Sequence, residues 1–122
     1  MSYAGSLNGG AMVVERESIR RRKRLKLRFG VDYPKRVAFT GDASVGGLYI
    51  ITGQPERPGT KLLIELNLPD EQQVIVYGRV RWAKKVPPNL IRVANKPGMG
   101  VQIEKYAAGE EQFKEYLATL RL

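Results

Sequence analysis

The feature that most constrains the fold of this chain is a series of short apolar stretches separated by turn-forming residues. The stretches alternate with segments rich in Pro, Gly, Asn or Asp. This spacing is typical of an antiparallel β-sandwich or β-barrel, here with six or seven strands. The first strand is predicted to begin near Leu25, and the others cover Arg36–Thr40, Gly47–Thr52, Lys61–Leu68, Gln73–Lys84, Leu90–Ala94 and Met99–Lys105.

After Gly109 the apolar residues recur at helical spacing instead of alternating. Two glutamates stand near the start of this segment, where the helix dipole favours negative charge. We therefore predict a helix over residues 109–121 that closes one end of the barrel. The alternative is that the helix packs against a second subunit. The apolar face consists of Phe113, Tyr116, Leu117 and Leu120.

Positive charge is concentrated near the N-terminus. The chain has 21 Lys and Arg residues against 12 Asp and Glu residues, a net charge of +9. Residues 15–28 hold eight basic and two acidic side chains, which is +6 of that total. The excess predicts an anionic partner, with residues 16–24 as a basic arm. Residues 1–15 have little to bury and are expected to form a flexible tail.

The composition excludes several kinds of chemistry. The chain contains neither cysteine nor histidine, which removes disulfides, thiol nucleophiles, imidazole bases and the usual zinc, copper and iron sites. No acidic cluster, carboxylate pair or GxxxxGK phosphate loop is present, so we expect neither a metal site nor an enzyme. Without an apolar run of about 18 residues or a signal-like start, we expect a cytoplasmic protein.

Two motifs carry the functional argument. The first is a set of arginines at four-residue spacing, which alone is typical of a solvated face or a nucleic-acid arm. The second is the sequence from Asp42 to Gly47, which lies between two predicted strands and in isolation is a plausible turn. The arginines are Arg16, Arg20, Arg24 and Arg28.

Together, the Arg-x-x-x-Arg arm and the Asp-x-Ser-x-x-Gly motif about twenty residues later resemble the PilZ domain family. The likeness extends over residues 16–105 and includes Gly78–Trp82 and Gly98–Ile103. It implies a mainly β fold, an antiparallel PilZ-like β-barrel of six or seven strands with a flexible basic N-terminal arm and a C-terminal α-helix. The expected single domain covers residues 16–122, with the arm at 16–24, the barrel at 25–105 and the helix at 109–121.

In the PilZ family these motifs bind cyclic di-GMP, so the resemblance implies a site for this second messenger and no further cofactor. Several arginine pairs fit the arm motif. Arg16 with Arg20 is preferred and Arg20 with Arg24 is second, whereas Arg28 alternates with buried positions and is expected to face outward. The implied ligand-binding residues are Arg16, Arg20, Arg24, Asp42, Ser44, Gly46 and Gly47.

The chemistry of these residues suits the ligand. An ionised Asp42 only accepts hydrogen bonds, so it can receive both N–H donors of a guanine Watson–Crick edge and thereby select guanine over adenine. An arginine can donate two parallel bonds to guanine O6 and N7 or to a phosphate, or can stack on a base. Ser44 offers a hydroxyl, and Gly46 and Gly47 allow close approach to the backbone.

Trp82 is the only tryptophan. Strict alternation along its strand puts it on the same side as Val76, Gly78 and Val80, which predicts packing in the core. The alternative is a partly exposed ring beside the ligand that stacks on the second guanine.

The expected function is therefore that of a non-catalytic effector. Its arm would wrap onto the barrel when cyclic di-GMP binds and so change a surface for a downstream protein partner. The resemblance implies control of motility, adhesion or exopolysaccharide production in bacteria. One alternative is a PilZ-type adaptor that binds only a protein. The other is a nucleic-acid-binding β-barrel, which the lack of an evident aromatic platform disfavours.

Overall fold

A computed structural model describes residues 21–86 and 96–120. Within them, six antiparallel strands close into a barrel in the order β1-β2-β3-β6-β5-β4. The strands are β1 Lys26–Gly30, β2 Arg36–Ser44, β3 Gly47–Ile51, β4 Lys61–Asn67, β5 Gln73–Lys84 and β6 Gly98–Ala108, with a 3₁₀ turn at Pro69–Glu71 and helix α1 at Glu110–Thr119. The predicted mainly β barrel with a C-terminal helix is confirmed, while the predicted strand Leu90–Ala94 lies outside the described residues.

The barrel forms because apolar residues alternate with polar ones along its strands. In β4, for example, Leu62, Ile64 and Leu66 are buried while Lys61 faces solvent. Each fully buried aliphatic side chain stabilises the fold by about 1.5–3 kcal/mol. These inward faces join the inner residues of the other strands in one continuous core.

Helix α1 packs against the same core, as predicted. Phe113 is fully buried and Leu117 nearly so, and both belong to the cluster that fills the barrel. The Phe113 ring lies 6.4 Å from that of Tyr106 on β6. Gly109 begins the helix with a φ of 83°, and a Cβ there would lie 2.6 Å from the Gln73 carbonyl oxygen. A glycine is therefore required where the chain turns from β6 into α1.

Strand β2 is longer than the sequence predicts. It continues past Thr40 to Ser44, so Asp42 and Ser44 lie on a strand, and Val45 and Gly46 alone make the turn into β3. The register of β2 against β3 shifts between Thr40 and Asp42. This irregularity absorbs Gly41 and lets the strand continue through residues whose types are typical of a turn.

The predicted core position of Trp82 is wrong. Its side chain is 49% exposed, although Val76, Gly78 and Val80 on the same strand are buried. The cause is a shift in the pairing of β5 with β6, where Val80 pairs with Val101 but Trp82 pairs with Gly100. A shift of one residue reverses the face on which a side chain emerges. Trp82 therefore lies on the outside of the barrel.

Candidate ligand-binding site

A cavity of about 600 Å³ lies on the outer surface of the barrel, where β2, β3, β5 and β6 run side by side. We call it the Asp42 cavity. Aromatic rings, one carboxylate and several cations line it together. This combination suits a ligand that has a flat apolar face, hydrogen-bond donors and negative charge.

An aromatic platform of two rings forms one wall of the Asp42 cavity. Tyr49 on β3 and Trp82 on β5 stack with their centroids 5.3 Å apart and their planes 19° from parallel. Both rings line the cavity and Trp82 is half exposed. The expectation that the chain has no evident aromatic platform is wrong, because the strand shift at Trp82 brings the two rings together.

Glycines make room for this platform. A Cβ on Gly41 would lie 2.6 Å from the Tyr49 ring, one on Gly100 would overlap the Trp82 indole, and one on Gly98 would overlap the Ile50 carbonyl oxygen and crowd the Tyr49 ring. Glycine inside a strand usually weakens it and often marks a close approach. Here the glycines of β2 and β6 let both rings approach the backbone of the sheet closely.

Asp42 stands beside the platform. It pairs with Tyr49 across the β2–β3 ladder, is partly buried and lines the cavity. Burial first, and the charge of Asp42 second, raise the pKa of Tyr49 above its ordinary value of 10.0. The Tyr49 hydroxyl therefore stays protonated at neutral pH, and it donates a hydrogen bond to the Lys96 carbonyl oxygen.

Three cations surround this carboxylate and the rings: Arg22 from the arm, Lys84 from β5 and Lys96 just before β6 line the Asp42 cavity. Sequence reasoning identified none of the three as a site residue. The lysines lie at the ends of the segment between β5 and β6, where no motif singles them out. Their convergence gives the cavity a positive rim suited to phosphate groups.

The other residues of the second motif lie elsewhere. Ser44 is 3% exposed and does not line the Asp42 cavity. Its Oγ accepts a hydrogen bond from the Gly47 amide at 3.1 Å and lies 3.3 Å from the Gly47 carbonyl oxygen. Ser44 therefore holds the turn that follows Asp42, while Gly46 and Gly47 line a neighbouring smaller concavity.

The described part of the arm runs along β2. Arg21 forms an antiparallel bridge with Ala43, with N···O distances of 2.8 and 3.0 Å. Buried Thr40 accepts a hydrogen bond from the Leu25 amide at 2.9 Å and donates one to the Lys23 carbonyl oxygen. These bonds bring the arm to the edge of the Asp42 cavity.

The arginines of the arm differ in position. The Arg24 guanidinium lies 5.3 Å from the centre of the Phe39 ring and does not line the Asp42 cavity, whereas Arg22 does. Arg28 is exposed on β1, as expected. Arg16 and Arg20, the preferred pair, lie outside the described residues.

Within residues 21–86 and 96–120, no three side chains of the metal-binding types His, Cys, Asp and Glu cluster so that they could hold a metal ion. Over the same residues, no helix has the length and apolar character needed to span a membrane.

Comparison with known proteins shows what the chain and its fold are similar to. The chain resembles the solved structure of the Bacillus subtilis inhibitor of motility MotI/DgrA, with a TM-score of 0.63 and 20% identity. The match covers 86% of this chain and 52% of that one, so this chain spans about half the length of its structural neighbour. A search of the curated proteins gave no match. The family model of the PilZ domain matches residues 14–119, and the chain belongs to the PilZ domain family.

Proposed function

We propose that this PilZ domain binds cyclic di-GMP in the Asp42 cavity and acts as an effector. PilZ proteins are non-enzymatic binding and adaptor proteins. The observation that carries the proposal is the position of Asp42 beside a stacked aromatic pair and within a cationic rim. This set of groups suits a guanine base joined to phosphate.

Each group has a role in the proposed complex. The Asp42 carboxylate accepts the two N–H donors of one guanine edge, which adenine cannot supply in the same arrangement. The face of that base packs on the platform of Tyr49 and Trp82. Arg22, Lys84 and Lys96 donate to the phosphate oxygens, and their charge offsets that of the two phosphodiesters.

The arm completes the proposed site. Arg16 and Arg20 precede Arg22, and we propose that their guanidinium groups close over the ligand from above. Arg24 already lies on Phe39, so its contribution is expected to be smaller. We propose that Ser44 acts by holding the turn after Asp42.

The expected binding free energy suits a signalling ligand. A hydrogen bond to a charged group contributes about 1.5–3 kcal/mol, and a stacked base about 1–3 kcal/mol. Four or five such contacts, reduced by the entropy lost on ordering the arm, correspond to dissociation constants in the micromolar to submicromolar range.

The arm also offers a route from ligand to output. Arg21 stands next to Arg22, and its Nε donates to the carbonyl oxygen of Leu117 in α1 at 3.3 Å. We propose that engagement of the arm by cyclic di-GMP changes this contact and so alters the surface that a downstream protein partner reads. Because this chain resembles an inhibitor of motility, we propose that the partner is a protein of the motility machinery.

The test is calorimetric titration of cyclic di-GMP into the full chain at moderate salt, with cyclic di-AMP and GTP as competitors of different chemistry. We expect selective binding that Asp42→Ala and Arg20→Ala each weaken at least tenfold. Asp32→Ala is the matched control, because Asp32 is exposed and does not line the Asp42 cavity. A folded protein that does not bind would contradict the proposal and favour the two alternatives, the adaptor for a protein partner first and the nucleic-acid binder second.

A further inference from the structure

A second, smaller concavity of about 230 Å³ adjoins the Asp42 cavity. The two share Trp82 and Gly100 as lining residues. The smaller one is otherwise lined by Gly46 in the β2–β3 turn, by Gly47 at the start of β3 and by residues of β5 and β6. We call it the Arg81 concavity.

The second sequence motif is divided between these two surfaces. Asp42 lines only the larger cavity, whereas Gly46 and Gly47 line only the smaller one. A Cβ on Gly46 would meet no atom within 4 Å, so there is open space beside the backbone of the turn. A ligand that contacts Asp42 as well as Gly46 and Gly47 therefore has to occupy both concavities, which meet at Trp82 and Gly100.

The cation of the smaller concavity is available for a ligand. Arg79, two residues earlier on β5, is held by Glu104 at 2.9 Å and by the Gly59 carbonyl oxygen at 3.2 Å. Arg81 is exposed, lines the concavity, and forms no hydrogen bond or ion pair with another residue in the described ranges. The exposed amide side chain of Gln102 lines the same concavity and adds both a donor and an acceptor.

We infer that one cyclic dinucleotide lies across Trp82, with one purine in each concavity, and that Arg81 binds the second purine. This inference rests on the proposed function and extends its site by one residue that neither motif contains. The guanidinium of Arg81 matches the O6 and N7 acceptors of guanine, to which it can donate two parallel bonds. Trp82 then contacts the ligand from both concavities, while its ring stays stacked on Tyr49.

The test is titration of cyclic di-GMP into the wild-type chain, Arg81→Gln and Lys105→Gln by calorimetry. Both variants lose one positive charge from exposed β-strand positions, but Lys105 lines neither concavity. We expect one ligand per chain, about tenfold weaker binding in Arg81→Gln, and less than a twofold change in Lys105→Gln. Circular dichroism checks that each variant keeps its strand content.

Two further results would separate the possibilities. In ¹⁵N spectra of the wild-type chain, we expect the Nε–H signal of Arg81 to shift on addition of cyclic di-GMP while that of Arg79 stays in place. Binding that is equally tight in both variants, or two ligands per chain, would overturn the inference and leave the proposed function standing. A wild-type chain that does not bind the dinucleotide at all would overturn both.

Discussion

Glycines set the shape of the binding surface, and substitution of Gly98 or Gly100 should disturb it in different ways. A Cβ on Gly98 meets the backbone carbonyl of Ile50, which can move only with the sheet. A Cβ on Gly100 meets the Trp82 indole, which is half exposed and can move into solvent. The same substitution should therefore disturb the strand at one position and the platform at the other.

We predict that Gly98→Ala lowers the free energy of unfolding by about 2 kcal/mol, as overpacking in a close-packed strand does. Gly100→Ala should lower it by less than about 1 kcal/mol, but should shift the fluorescence emission of Trp82 to longer wavelength as the ring becomes more exposed. Urea unfolding and emission spectra measure the two effects. Gly53→Ala, which meets no atom within 4 Å, is the control. Unchanged emission in Gly100→Ala would show that the indole does not rest on Gly100.

Two partly buried tyrosines differ in whether their hydroxyl group has a hydrogen-bond partner. The Tyr106 hydroxyl donates to the Val45 carbonyl oxygen at 2.6 Å, whereas the buried Tyr116 hydroxyl has no partner in the described part of the chain. We predict that Tyr106→Phe lowers the free energy of unfolding by about 1 kcal/mol and that Tyr116→Phe leaves it unchanged or raises it. Urea unfolding near pH 7 measures the difference, and equal losses would contradict the assignment.

The pH dependence of Tyr106 follows from its environment. Burial first, and the charge of Glu110 second, raise the pKa of Tyr106 above the ordinary value of 10.0. The stabilising effect of the neutral hydroxyl is therefore complete below about pH 10 and is lost as the pH rises beyond it. We predict that the stability difference between wild type and Tyr106→Phe narrows above pH 10. Unfolding curves on both sides of that pH would show it, and a constant difference would contradict it.

Among the elements, the arm is held to β2 partly by one buried hydroxyl. Thr40 on β2 accepts from the Leu25 amide and donates to the Lys23 carbonyl oxygen. Thr40→Val keeps the shape but leaves two backbone groups without their partner, which costs about 1–3 kcal/mol. We predict that limited trypsin digestion cuts this variant faster after Arg21 to Arg24. Thr60→Val, whose residue bonds through its backbone, is the control, and equal cleavage rates would refute this role of Thr40.

Helix α1 contributes to the barrel core mainly through Phe113. This side chain is fully buried, so Phe113→Ala leaves a cavity at the end of the barrel. We predict a loss of about 3 kcal/mol in the free energy of unfolding. Lys114→Ala removes an exposed ion pair with Glu110 and should cost less than about 0.5 kcal/mol. Similar losses in the two variants would mean that the helix is not part of the core.

At the scale of the whole molecule, the net charge of +9 favours anionic ligands in general, so nucleic acid is the rival to cyclic di-GMP. The stacked Tyr49 and Trp82 rings strengthen that rival, because stacking aromatics are what single-strand binders present. Salt dependence separates the two. We predict that log K for cyclic di-GMP falls with log salt with a slope no steeper than about 2, since the ligand has two phosphates. For a single-stranded oligonucleotide, the slope of log K against log salt steepens by about 0.7 for each phosphate that the protein contacts. Tighter and more salt-sensitive binding of the oligonucleotide would favour the rival.

Much of the barrel could be predicted from local patterns. Alternation in β4 and helical spacing after Gly109 report burial directly, since the period of a strand or helix decides which side chains share a face. The two errors about the strands, the early end of β2 and the core position of Trp82, have one cause. Gly41 and Trp82 lie at register shifts, where one additional residue changes the face, and no period in the sequence marks such a shift. The glycines in β2 and β6 were the available signal of a close approach.

The sequence by itself determined the class of fold, the cationic character of the arm and the two motifs of the PilZ family, because each depends on residues that are close together in the chain. Only the tertiary structure decided that Tyr49 and Trp82 stack beside Asp42, that Lys84 and Lys96 join Arg22 there, and that Ser44 faces inward. The physical reason is barrel closure. Pairing β3 with β6 and β6 with β5 brings together residues from distant parts of the chain, and register shifts set the faces they share.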